Sequence, residues 1–167
     1  MSLASTTPLV VHSSLSNRPA TRPLNWVPAV VLRSPLHRVL SGNILLFEYV
    51  GRRSGQRYAT PINYRQVGER LLVSTDSPWY RNFAGNVDNT ASVILHGQRR
   101  PVRVELVSDL AEAVEDLLSI VRAQPGYGRW AHVRVAADGE PSRDDAEAEI
   151  ARGRRVLHLQ LPTVTRR

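Results

Sequence analysis

Apolar and polar positions alternate most regularly between Ile44 and Val107, and that alternation predicts strands before it predicts helices. Ile44-Leu45-Leu46-Phe47 with Tyr49-Val50 reads as a buried strand over 43–50, and Tyr58, Thr60, Ile62 and Tyr64 repeat at period two as a second over 57–65. Arg70 to Thr75 makes a third strand, and 155–161 makes the last. Strands at 90–96 and 99–107 read as a hairpin about Gly97-Gln98, a two-residue turn with glycine first. Asp109 caps a helix over 109–122 with Glu112 three residues on, and Leu110, Ala113, Val114, Leu117, Leu118 and Val121 give that helix one apolar face. Pro28 to Leu32 and Ser34 to Leu40 predict two short helices ahead of the first strand, and Pro78 opens another. Asp138 to Glu149 predicts a turn and an exposed acidic helix. Strands outnumber helices in the core, so the fold class is mainly β with helices (α+β), a six-stranded antiparallel barrel with flanking helices.

Residues 1–24 are rich in Ser, Thr and Pro without apolar periodicity and are expected to form a flexible leader. Residues 25–167 are expected to form a single domain, since 167 residues with 42% hydrophobic content suit one core. The absence of cysteine excludes disulfides, thiolate metal sites and cysteine nucleophiles. No apolar stretch approaches the roughly 18 residues of a membrane span, and no secretory signal opens the chain, so a cytoplasmic location is the expectation.

Charge changes the picture more. All 22 basic residues are arginine and the net charge is +7. Residues 18–103 hold thirteen arginines against four acids, whereas 104–153 hold five against eleven. The basic half contains Gly51-Arg-Arg-Ser-Gly-Gln-Arg-Tyr-Ala-Thr-Pro61, a glycine-bracketed cationic turn between the first two strands. Gly51 and Gly55 can take positive φ, so successive amides can converge on an anion, with Arg52, Arg53 and Arg57 adding full charges. A solvated hairpin tip is the competing reading. The turn is neither a Walker-type phosphate loop nor a Gly-x-Gly-x-x-Gly fingerprint.

The five histidines show no i, i+4 helical pair and no nearby carboxylate, so no metal site is expected, and no Gly-x-Ser-x-Gly elbow supports nucleophilic catalysis. Trp79-Tyr80-Arg81-Asn82 can place a planar ring and hold its polar edge, or Trp79 can plug the core. Tyr127 and Trp130, in a loop broken by Pro125, Gly126 and Gly128, can close over a pocket or cap the core.

Gly51-Arg-Arg-Ser-Gly55, Thr60-Pro61 and Trp79-Tyr80-Arg81-Asn82 stand in the order and approximate spacing of one group. From about Pro28 to Val107 the chain resembles the deazaflavin-dependent nitroreductase and quinone-reductase family, split β-barrel proteins that use reduced coenzyme F420. The resemblance implies that Arg52, Arg53, Ser54 and Gly55 bind the coenzyme's phosphate and acidic tail. It also implies that Thr60, Pro61, Ser74 and Thr75, with Trp79 and Asn82, line its ring.

The expected function is therefore hydride transfer from reduced F420, in preference to FMN, to a small hydrophobic acceptor, quinone-like or nitroaromatic. Tyr127 or Ser74 would then supply a proton. The alternative is a non-enzymatic carrier of a flavin, haem or fatty acyl ligand. Nucleic-acid binding is not expected, because the arginine-rich half lacks interleaved aromatics or a reading motif. A monomer and a homodimer are both compatible with the sequence.

Overall fold

In the computed structural model, which describes residues 9–11, 43–85 and 91–162, the alternating segments form one curled sheet. Its strands are β1 (Leu9–Val11), β2 (Ile44–Val50), β3 (Arg57–Asn63), β4 (Arg65–Val67), β5 (Arg70–Thr75), β6 (Ala91–Leu95), β7 (Gln98–Leu106) and β8 (Arg155–Gln160). They lie in the order β1-β3-β2-β6-β7-β8-β5-β4, so the sheet has eight strands where six were expected.

The difference has a physical cause. The single strand expected over 57–65 bends at Tyr64, so that β3 pairs with β2 (Phe47 opposite Thr60) and β4 pairs with β5 (Gln66 opposite Leu71). β4, at one end of the strand order, and β3, next to the other end, therefore join at Tyr64, and the sheet curls into a split barrel. Strand β7 is shared in the same way, with Val102 opposite Ala91 of β6 and Arg103 opposite Gln160 of β8. Strands that pass between two half-sheets let a twisted sheet close without flattening. The remaining strand, β1, lies within the expected leader and pairs parallel to β3, Val10 opposite Tyr58. The two short helices expected over 28–40 lie outside the described residues.

The β6–β7 hairpin corrects the expected turn by one residue. Leu95 pairs with Gln98, so the loop is His96-Gly97, with φ of 50° and 76°. Two successive positive φ values define a type I′ turn, whose twist suits the flanking strands.

Inside the barrel, Phe47 is fully buried, its ring centroid 5.2 Å from Trp79, 5.5 Å from Tyr49 and 5.6 Å from Phe83. Outside it, helix α1 (Leu110–Ala123) packs Val114, Leu117, Leu118 and Val121 against Val156 of β8. Asp109 caps α1 as expected, its carboxylate accepting from the Glu112 amide at 2.8 Å. Leu110, the first residue of α1, departs from the expected apolar face and is 68% exposed.

After α1 come a 3-10 turn (Pro125–Tyr127), the short helix α2 (Gly128–Ala131) and α3 (Arg143–Arg152). Arg134 grips Asp145 in a forked ion pair, with contacts of 2.7 and 2.9 Å, and fastens the intervening loop to α3. Hydrogen bonds from the Arg134 side chain and backbone hold the Asp145 carboxyl well below the usual carboxylate range. A depressed folded value stabilises the fold above about pH 4 and loses that contribution as pH falls further. The melting-temperature gap between wild type and Asp145→Asn should accordingly be present at pH 7 and shrink below pH 4. Among the described residues no helix is long and apolar enough to cross a membrane.

Candidate functional site

Two features built on the same strand make up the site. The first is the turn between β2 and β3. Gly51 N–H donates to the Gln56 carbonyl at 2.7 Å and Gly55 N–H to the Gly51 carbonyl at 2.8 Å, which folds 51–56 tightly. Gly55 has a φ of 65°, as expected, but Gly51 is required for a different reason. A Cβ at 51 would stand 2.5 Å from Ser54 Oγ and 2.6 Å from the Tyr58 ring. Arg52, Arg53, Ser54 and Arg57 are exposed on this turn and its exit.

Asn82 braces the turn from a separate element. Its Oδ1 accepts from the Arg52 amide at 2.8 Å while its Nδ2 donates to the Trp79 carbonyl at 2.8 Å. Arg52 Nη1 also donates to the Ala84 carbonyl at 3.2 Å. The Pro78–Asn82 turn therefore ties the cationic loop to the barrel, with Trp79 as its buried root. Trp79 sits in the aromatic core and does not line the cavity described below, and its Nε1 is buried with no hydrogen-bond partner among the described residues. Thr60 is likewise fully buried and is not among the lining residues.

The second feature is a cavity of about 420 Å³ on the outer face of the barrel, within the usual range for small-molecule sites. Pro61, Ser74, Thr75 and Tyr127 line it, as do Asp76, Trp130, His132 and Arg154. Four residues singled out in the sequence thus converge here, together with Trp130, while the arginine turn stands apart. Pro61 is four residues along β3 from Arg57, about 13 Å at the usual strand rise.

The cavity wall carries a hydroxyl pair. Ser74 Oγ and Tyr127 Oη lie 2.8 Å apart, and Tyr127 also donates to the Ser74 carbonyl at 3.1 Å. Burial pushes the Tyr127 phenol above its ordinary value, more than the nearby Arg154 charge and the Ser74 hydrogen bond pull it down. The phenol therefore keeps its proton at neutral pH and can donate it.

Sequence reading missed Arg154, Asp76 and His132. Arg154 is 4% exposed, with Nε 3.5 Å from Glu149 and Nη2 3.6 Å from Asp76 and 3.2 Å from the Trp130 carbonyl. Burial pushes the Glu149 carboxyl up, but hydrogen bonds from Arg152 and His132 and the charge of Arg154 outweigh it and leave the group below its ordinary value. No local pattern marks Arg154, which sits in an arginine run after the Gly153 cap; only the fold carries it to Ser74.

Two histidines correct the expectation that none has a carboxylate partner. His132 Nδ1 is 3.5 Å from Glu149, and His158 Nε2 is 2.7 Å from Asp116. Glu112 lies one helical turn before Asp116, and the three groups bring ligand-type atoms within 4.8 Å of one another. Both partners come from distant segments, so sequence spacing could not reveal them.

No protein-family model and no curated protein matches this sequence. Among solved structures the chain is similar to an F420-H2 dependent reductase, at 17% identity over 71% of this chain and 95% of that one, with a TM-score of 0.50. It is also similar to a chain described as a domain-swapped dimer (17% identity, 80% and 99% covered, TM-score 0.50). A third is an FAD-binding protein from Mesorhizobium loti (14% identity, 75% and 84% covered, TM-score 0.48). The first two likenesses, each at a TM-score of 0.50, show the fold that the turn and strand motifs pointed to.

Proposed function

We propose that the protein is an oxidoreductase that holds reduced coenzyme F420 and delivers a hydride to a quinone-like or nitroaromatic acceptor. The observation that carries this reading is the spacing on β3: a hydroxyl-lined cavity at one end and a cationic turn at the other, about 13 Å apart. A ligand with a planar head and a long acidic tail fits both, and the shorter FMN fits less well. The first solved structure named above, a reductase dependent on the same coenzyme, supports the reading as an analogy of fold.

When bound, the coenzyme supplies the hydride. Arg52 and Arg53 hold its phosphate and acidic tail, with Asn82 fixing the turn's backbone. Pro61, Ser74 and Thr75 support the planar head from the strand side. An acceptor that gains a hydride gains negative charge with it, and Tyr127 Oη donates the balancing proton. Ser74 Oγ, 2.8 Å away, orients that hydroxyl. Trp130, 61% exposed, lines the same cavity and offers a ring for the acceptor.

Replacing Tyr127 with Phe keeps the ring and removes the proton. Turnover should fall about 100-fold, within the range for general acid catalysis, with coenzyme affinity unchanged. Stopped-flow kinetics with a parallel binding titration checks this, and unchanged turnover in the variant would remove Tyr127 from the mechanism.

A further inference from the structure

Arg154 has a placement that proton donation does not use. Gly153 ends α3 with φ at 115° and turns the chain directly into β8, so Arg154 is held at the junction and its guanidinium is pressed into the cavity wall. A buried charge needs a close partner, and charge-assisted bonds from arginine run about 2.7–2.9 Å. Among the described residues Arg154 has no carboxylate that close: its two carboxylate contacts are 3.5 and 3.6 Å. Glu149 is shared, since its other oxygen binds Arg152. Asp76 is 63% exposed in its side chain and can swing into water without loss of packing. The fork's carboxylate contacts are thus loose, its Nη2 donating besides to the Trp130 carbonyl at 3.2 Å. It lines a cavity that also presents the rings of Tyr127 and Trp130, the apolar Ile44 and Pro61, and the hydroxyls of Ser74 and Thr75.

We propose that this cavity selects a planar aromatic or quinonoid acceptor bearing a carboxylate, with the carboxylate docked on Arg154 in place of Asp76. The proposal rests on the oxidoreductase reading above, with the coenzyme's head against Pro61, Ser74 and Thr75 and the acceptor on the Tyr127, Trp130 and Arg154 side of the same cavity. It narrows the acceptor class to one that carries a carboxylate. Planar carboxylates match the guanidinium fork bidentately, and the aromatic walls take the ring. Asp76 acts as a place-holder that partly neutralises Arg154 until the acceptor arrives.

The test uses two probes of equal shape, 4-nitrobenzoate and 4-nitrobenzamide, titrated by calorimetry into the full chain without coenzyme at neutral pH. The benzoate should bind at least tenfold more tightly than the amide. Asp76→Asn, an exposed change, should tighten the benzoate several-fold and leave the amide unaltered, while Arg154→Met should bring the two probes to equal affinity. Equal affinities in the wild type, no binding of the benzoate, or weaker benzoate binding in Asp76→Asn would each overturn the proposal. If Arg154→Met does not fold, the Asp76→Asn comparison decides alone. With no coenzyme present, a failure here is distinct from a failure to bind F420.

Discussion

Replacing Arg52 and Arg53 together with Ala should weaken binding of F420 at least tenfold while leaving the melting temperature almost unchanged. Both side chains are exposed, and the one hydrogen bond that Arg52 Nη1 makes to Ala84 lies in solvent at 3.2 Å. Exposed charges of this kind contribute about 0–1 kcal/mol to folding. A charge-assisted bond to phosphate contributes about 1.5–3 kcal/mol, and 1.4 kcal/mol is tenfold in affinity. The Arg52 amide bond to Asn82 survives in the double variant, so the turn keeps its shape and the loss reports on charge. Coenzyme fluorescence titration with a thermal melt of the same sample measures both quantities. Unchanged affinity would return the turn to an ordinary solvated hairpin tip.

Replacing Phe47 with Ala should produce the largest stability loss, about 3–5 kcal/mol, the range for a large aromatic removed from a packed core. Its ring is fully buried and packs on Tyr49, Trp79 and Phe83, and aromatic pairs add roughly 0.5–1.5 kcal/mol each beyond area burial. Because Trp79 roots the turn that positions Asn82, the same change should also loosen the cationic loop. Denaturant unfolding should show a lowered midpoint with little change in slope. Leu110→Ala is the control: at 68% exposure it should stay within about 0.5 kcal/mol of wild type.

Much of the barrel was legible in the sequence because the long strands carry apolar residues at period two on the inner side, even where, as in β5 and β8, the other face is buried as well. Leu71, Val73 and Leu157, Leu159 point inward at period two, and the observed bounds of β5 coincide with the alternation at Arg70 and Thr75. What escaped was geometry set by closure. The bend at Tyr64 has neither glycine nor proline to announce it, since it arises where the curled sheet brings β2 and β5 to opposite ends of one strand. His96 takes a positive φ that glycine or asparagine more often supplies, so the hairpin was expected one residue late.

The site divides along the same line. The turn residues and Ser74, Thr75 and Tyr127 could be singled out because glycine brackets, strand ends and broken loops leave local traces. Trp79 carried an aromatic signature that suited either a ring platform or a core plug, and its neighbours Phe47 and Phe83 decide for the core. Arg154 left no trace, because its importance comes from burial beside a strand some eighty residues earlier in the chain.

The most direct measurement is the absorbance of reduced F420 mixed with the purified protein, followed first alone and then with a panel of quinones and nitroaromatics that includes 4-nitrobenzoate. The reduced coenzyme should be stable with protein alone and be oxidised when an acceptor is added, faster than with acceptor and no protein. Reduced F420 left untouched across the panel, by a protein that binds haem or a fatty acid tightly instead, would contradict it.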